Sequence, residues 1–163
     1  MQDVVPLEFR VFVTDSGPRL RQALIAAFGG ELGRESASEA LAYAWEHWQR
    51  ISGMANPTGY VYRVGRNEAV RSRRRGSLRL RREELSMVRG ETAVQLPMIE
   101  PALLSLLATL SENQRTCVVL VHGFGWTLTD VADLLEVSVG SVQKHAQRGL
   151  DKLRSGLGAP IDA

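Results

Sequence analysis

A single cysteine, three scattered histidines and no lysine before Lys144 set the first limits on this 163-residue chain. With Cys117 alone, no disulfide can close within the chain, and a zinc site would have to form without paired thiolates. Cys117 stands in the apolar run Cys117-Val118-Val119-Leu120-Val121, a setting in which free cysteine packs as a small hydrophobe. His47, His122 and His145 show neither H-x-x-x-H nor H-E-x-x-H spacing, so neither a metal nor another cofactor is expected. Long hydrophobic runs are missing too: nothing approaches the roughly 18 apolar residues of a membrane span. Met1 to Arg10 lacks a basic start followed by an apolar run, which predicts a cytoplasmic protein without membrane insertion. No paired-carboxylate, nucleophile or glycine-rich phosphate motif stands in a convincing setting; Gly29-Gly30 and Gly156-Leu157-Gly158 read as helix ends, and no enzyme is expected.

What is present is an ordinary globular composition, 44% hydrophobic and 23% charged, with an uneven distribution of charge. The net charge of +2 hides a cluster: Arg63, Arg66, Arg71, Arg73, Arg74, Arg75, Arg79, Arg81 and Arg82 are opposed within their segment only by Glu68. Such a cluster is the electrostatic footprint of a phosphate-binding surface. Using arginine rather than lysine for it favours nucleic-acid contact over mere solubility, because the guanidinium fork matches phosphate geometry.

Apolar spacings of three and four recur along the chain, and no segment alternates with period two, so the sequence predicts an all-α protein. A short apolar stretch at Leu7, Phe9, Val11 and Phe12 is expected to break at Ser16-Gly17-Pro18, with Pro18 opening a helix that carries Leu20, Leu24, Ile25 and Phe28 and ends at Gly29-Gly30. A helix from about Glu35 to Ile51 carries Ala37, Leu41, Ala44, Trp45, Trp48 and Ile51 on one stripe, the tryptophans belonging to the core. Asn56-Pro57 combines an N-cap with a first-turn proline and starts a helix running into the arginines. Beyond Gly76 the pattern loosens, and Arg89-Gly90, Pro97 and Pro101 mark an exposed linker.

Helical patterning resumes near Glu100 with Leu103, Leu104, Leu107 and Leu110 on one face. Ser111 and Gln114 form a capping-box pair, and Thr127 with Asp130 repeats the signature. A break at Glu136-Val137-Ser138 separates a helix of about nine residues from one of about sixteen, a helix-turn-helix pattern. With Ser138 as cap, Val142 and Ala146 face inward, while Ser141, Gln143, Lys144, His145, Gln147 and Arg148 form an outer face able to meet bases and phosphates.

The run from Trp126 to Arg154 resembles domain four of bacterial extracytoplasmic-function sigma factors, and Leu110-Ser-Glu-Asn-Gln-Arg115 resembles the opening of that domain, with Ser111 where proline is usual. Ala40-Leu-Ala-Tyr-Ala-Trp45 and Asn56-Pro-Thr-Gly-Tyr-Val-Tyr-Arg-Val-Gly-Arg-Asn67, followed by the basic run, resemble domain two of the same family. The resemblance implies two small helical domains, 1–76 and 101–163, joined by a flexible linker at 77–100. It implies a transcription initiation factor that brings core RNA polymerase to promoters and supports their melting.

By that resemblance Glu35, Ser38, Glu39, Ala42 and Glu46 face the clamp of the β′ subunit. Met54, Asn56, Tyr60, Arg63, Arg66, Asn67, Arg71 and Arg74 bind the minus-ten element, with the loop before Asn56 around a flipped base. Arg115, Ser141, Gln143, Lys144, His145, Gln147 and Arg148 bind the minus-thirty-five element, and domain four sits on the flap of the β subunit. Besides Ser111, three residues depart from the family pattern: Ser38 replaces a glutamine of the polymerase-binding helix, Tyr60 a tryptophan, and Glu136 the glycine of the helix-turn-helix turn. Glu136 then needs a turn without positive φ, or accepts modest strain. The implied partners are the β and β′ subunits, promoter DNA and an anti-sigma factor; the implied protein is a monomer associated with the nucleoid. The alternative is a helix-turn-helix regulator, or a sigma-like interaction protein, that does not activate polymerase.

Overall fold

Eight α-helices and one π-helical turn make up residues 4–80 and 101–158, the residues described by the computed structural model; no strand occurs among them. In the first half, α1 spans Leu7–Phe28, α2 Gly30–Glu46, α3 Trp48–Ile51 and α4 Pro57–Leu80. In the second, α5 spans Pro101–Thr109 and α6 Glu112–Val118; the π-helical turn Val119–Gly123 follows, then α7 at Leu128–Leu135 and α8 at Val139–Gly156.

The expected break at Ser16-Gly17-Pro18 does not occur: α1 runs through it, with Pro18 inside the helix. Pro18 removes one backbone donor. Packing outweighs that loss, since Gly17, Leu20, Ala23 and Leu24 are all buried on neighbouring helices. Gly29, at φ 90°, ends α1 as expected, and α2 then begins at once, five residues before the predicted start at Glu35. The two helices lie so close that a Cβ on Gly33 would fall 2.5 Å from the Ile25 backbone. The predicted helix Glu35 to Ile51 is in fact divided, because His47 leaves helical geometry and separates α2 from α3.

Asn56 caps α4 through its Oδ1, which accepts from the Gly59 N–H at 2.9 Å. The helix continues past Gly76 to Leu80, four residues beyond the expected domain end. The remainder of the predicted linker, 81–100, lies outside the described residues. All three predicted caps of the second half form: Ser111 and Gln114 make the reciprocal capping box, Thr127 Oγ1 accepts from the Asp130 N–H at 3.0 Å, and Ser138 Oγ accepts from the Ser141 N–H.

The two halves pack together. α1 lies against α2 and α4, and also against α6 and the π-helical turn; α4 also touches α7. One apolar cluster therefore joins Leu20, Leu24, Val61 and Ala69 of the first half to Cys117, Leu120, Trp126 and Val131 of the second. The predicted core tryptophans are half-buried and belong to an aromatic group, Trp45 and Trp48 each lying 5.2 Å from Phe9 between ring centroids. A smaller cluster of Leu110, Val118 and Leu153, with Leu103, Leu106 and Leu107 against it, seats α5 on α8.

Candidate nucleic-acid interface

Three surfaces collect the side chains singled out in the sequence, and they differ in how far the fold leaves them open. Helical periodicity places Glu35, Ser38, Glu39, Ala42 and Glu46 on one face of α2, because residues three and four apart share a side of a helix. All five are exposed, while Ser36, Ala37, Ala40 and Ala44 on the opposite face are buried.

The second surface is built by the start of α4 and the loop before it. Met54, Asn56 and Tyr60 are half-buried there, with Arg63 and Asn67 exposed further along the helix. Tyr60 is flanked by two guanidinium groups, Arg50 at 5.6 Å and Arg63 at 5.7 Å from its ring centre. Arg50 also donates from Nη2 to the hydroxyls of Tyr43 and Tyr60. No sequence pattern marks Arg50; only the turn through α3 brings it over Tyr60. An aromatic face between two cations is a chemically suitable seat for an unstacked base with its phosphate. Farther along α4, Arg71 and Arg75 reach back to Glu68 at 3.6 and 3.0 Å, Arg73 lies over Phe28, and Arg74 points into solvent.

This second surface is partly covered by the other half of the chain. Arg66 forks onto Glu112, Nε to Oε1 and Nη2 to Oε2, the latter at 3.1 Å. The pair holds the Arg66 guanidinium above its ordinary pKa, chiefly through that hydrogen bond. Arg63 lies 3.6 Å from Glu136, and the side-chain amide of Asn56 donates to the Asp133 carbonyl at 2.7 Å. Glu112 and Asp133 were invisible as site residues in the sequence, since they stand 46 and 77 positions from their partners.

The third surface is the outer side of α8. Ser138 caps the helix, accepting from the Ser141 N–H at 3.1 Å. Val142 and Ala146 are buried as the spacing predicts. Gln143, Lys144, Gln147 and Arg148 are exposed and Ser141 and His145 half-buried, so the face is open along its length. Gln147 donates to Asp151 one turn on, at 2.9 Å. Arg115 does not join this face. It is half-buried, donating from Nε to the Ala27 carbonyl at 2.9 Å and from Nη1 to the Leu110 carbonyl at 3.1 Å, and burial lowers its pKa.

The helix-turn-helix turn itself settles the question raised by Glu136. Its φ of 56° and ψ of 45° place it in the left-handed region, where it ends α7. Of the two options, strain is the one adopted.

Residues 101–153, from α5 through most of α8, match the family described as Sigma-70, region 4. The fold is similar to that of the sigma factor RpoE in its complex with the anti-sigma factor NepR from Bartonella quintana. That comparison has a TM-score of 0.66 and 18% identity and covers 96% of this chain and 99% of the other. It is similar too to CnrH in complex with the cytosolic domain of CnrY, with a TM-score of 0.56, 22% identity, and 95% and 89% of the two chains covered. Comparison of the sequence with curated proteins finds no match.

Proposed function

We propose that the chain is an extracytoplasmic-function sigma factor that directs bacterial core RNA polymerase to promoters, a reading supported by the region 4 match and the similarity of fold to RpoE and CnrH. Its parts divide the work as follows. The first domain, 1–76, docks on the β′ clamp through Glu35, Ser38, Glu39, Ala42 and Glu46. It takes the minus-ten element at Met54, Asn56 and Tyr60, with Arg63, Arg66, Asn67, Arg71 and Arg74 on the DNA backbone. The last domain, 101–163, sits on the β flap and reads the minus-thirty-five element through Ser141, Gln143, Lys144, His145, Gln147 and Arg148. The residues between Leu80 and Pro101 serve as the linker toward the RNA exit path.

One observation carries the reading: the residues matched to region 4 contain a helix-turn-helix whose polar outer face is exposed along α8, as a major-groove reader requires. Arg115 supports this unit from within rather than from its DNA-facing side. Extruding a base costs a few kcal/mol, and phosphate contacts from the α4 arginines offset part of it. The protein works as a monomer, since an asymmetric promoter needs no two-fold axis. It acts in the cytoplasm on the nucleoid, and we assign it no catalytic step of its own. RpoE and CnrH are each described with a bound protein, an anti-sigma factor and the cytosolic domain of CnrY respectively. We extend to this chain an anti-sigma partner.

The test is binding of the purified protein to bacterial core RNA polymerase, followed by transcription from a genomic DNA library. Stable binding with new start sites is the expected result. DNA binding without polymerase binding would instead favour the regulator reading, and the serine at position 38 would be the first place to look.

A further inference from the structure

Val139, the first residue of α8, is 42% exposed and belongs to neither apolar cluster of the chain. A β-branched side chain on an open first turn gains nothing from burial, and valine is a poorer helix former than alanine. Stability therefore gives no reason for a valine there. Val137, two residues earlier, is equally exposed, but it lines the cleft against α4 with Arg63 and Glu112.

Helical spacing sets what Val139 stands beside. Residues four apart share a side of a helix, so Val139, Gln143 and Gln147 form one row along α8. All three are exposed, whereas Val142, Ala146 and Leu153 turn to the core. Gln147 donates its amide to Asp151 at 2.9 Å, and Gln143 is the amide next to Val139. Gly140 keeps the first turn low: beyond its chain neighbours, a Cβ there would meet only Ser138 Oγ, 3.9 Å away. A groove floor can therefore come close to Val139.

The major groove presents one apolar group, the C5-methyl of thymine; its other base edges are hydrogen-bond donors and acceptors. The early residues of a recognition helix are the ones that reach those edges. An exposed valine in the first turn matches the methyl, and a glutamine one turn later matches the N6 and N7 edge of adenine. The row thus offers partners suited to neighbouring A·T pairs.

We propose that Val139 is a specificity-determining residue of the minus-thirty-five surface: its methyl groups pack on the C5-methyl of one thymine, in a base pair beside the one that Gln143 reads. This rests on the reading of α8 as the recognition helix and adds to it an apolar contact that the polar set of that helix lacks. Cytosine at the same place sets an amino donor against the valine, where it finds no acceptor, and is disfavoured. Uracil differs from thymine by the methyl alone, so it isolates the contact.

The experiment starts from the duplex that the full chain selects from a random library. Each thymine of that duplex is replaced singly by deoxyuridine, which removes the methyl and keeps the pairing edge, and affinity is read by fluorescence anisotropy at fixed salt. One replacement is expected to weaken binding about fourfold, the change that corresponds to one buried methyl group. Val139→Ala should bind the thymine and deoxyuridine forms of that duplex equally. A duplex with no methyl-sensitive thymine, or a loss just as large in Val139→Ala, would overturn the assignment. Selection with Gln143→Ala then separates two failures. If the methyl effect is absent and the selected site changes, α8 remains the recognition helix and only the Val139 contact is wrong. If the site does not change, or none is selected at all, the helix assignment is wrong as well.

Discussion

Arg115 of α6 donates its Nε–H to the carbonyl of Ala27 at 2.9 Å, tying the start of the second half to the last turn of α1, 88 positions earlier. The same guanidinium reaches the carbonyls of Leu107 and Leu110 at the end of α5. A half-buried cation with three carbonyl acceptors is a structural clasp.

Replacing Arg115 with alanine leaves those carbonyls unpaired. Hydrogen bonds to charged groups contribute about 1.5–3 kcal/mol, so Arg115→Ala is expected to cost about 2 kcal/mol of stability in chemical denaturation. A variant as stable as the parent but weaker on minus-thirty-five DNA would return Arg115 to the DNA-binding set.

On α4 and α8 the expected effects differ in kind. Arg63→Ala or Arg66→Ala should weaken binding to all sequences and reduce the salt slope of log K by about one, because each lost phosphate contact releases fewer counterions. Changing Gln143, Lys144 or His145 should alter which duplex is preferred, as measured by selection from a random library. An unchanged salt slope, or an unchanged preferred site, would move the corresponding surface elsewhere.

Glu136 carries backbone strain at φ 56° that glycine would not. Its exposed partnership with Arg63 returns at most about 1 kcal/mol. Thermal melting should therefore rank Glu136→Gly at or above the parent, and Glu136→Val clearly below it, since a β-branched residue fits the left-handed region poorly. Valine matching glycine would mean that the turn relaxes to another conformation.

Burial pushes the Cys117 thiol up to about 11 from an ordinary value of 9.0. Between those values the folded chain holds a proton that the unfolded chain has released, so stability falls as pH rises through this window and is flat below it. Tyr62, also raised by burial, adds to the decline at higher pH. Melting temperature should hold to about pH 9 and then drop, with the onset about one unit later in Cys117→Ala. An onset that does not move would assign the loss to Tyr62 alone.

Local chemistry made much of this fold legible. Ser111, Thr127, Ser138 and Asn56 announce helix starts because a cap needs only its own next few residues, and all four accept the expected backbone N–H. The outer face of α8 was legible for a similar reason, since the positions of Val142 and Ala146 fix where the polar residues must point. Errors arose where tertiary packing overrode local signals. Pro18 is carried inside α1 by the burial around it, and α2 starts at Gly30 because the close approach of Gly33 to Ile25 depends on a neighbouring helix. The contacts of Glu112, Asp133 and Arg115 with the first half have no local trace at all. They exist only because the two halves share a core.

The charge of the α4 surface rests entirely on arginine, and no lysine occurs before Lys144. A guanidinium keeps its proton throughout the physiological pH range, and it lacks the amine that lysine acetylation would neutralise. The cations of α4 therefore hold their sign whatever the cell's acetylation state. Lys144, exposed on α8, is the first position along the chain where acetylation could erase a positive charge.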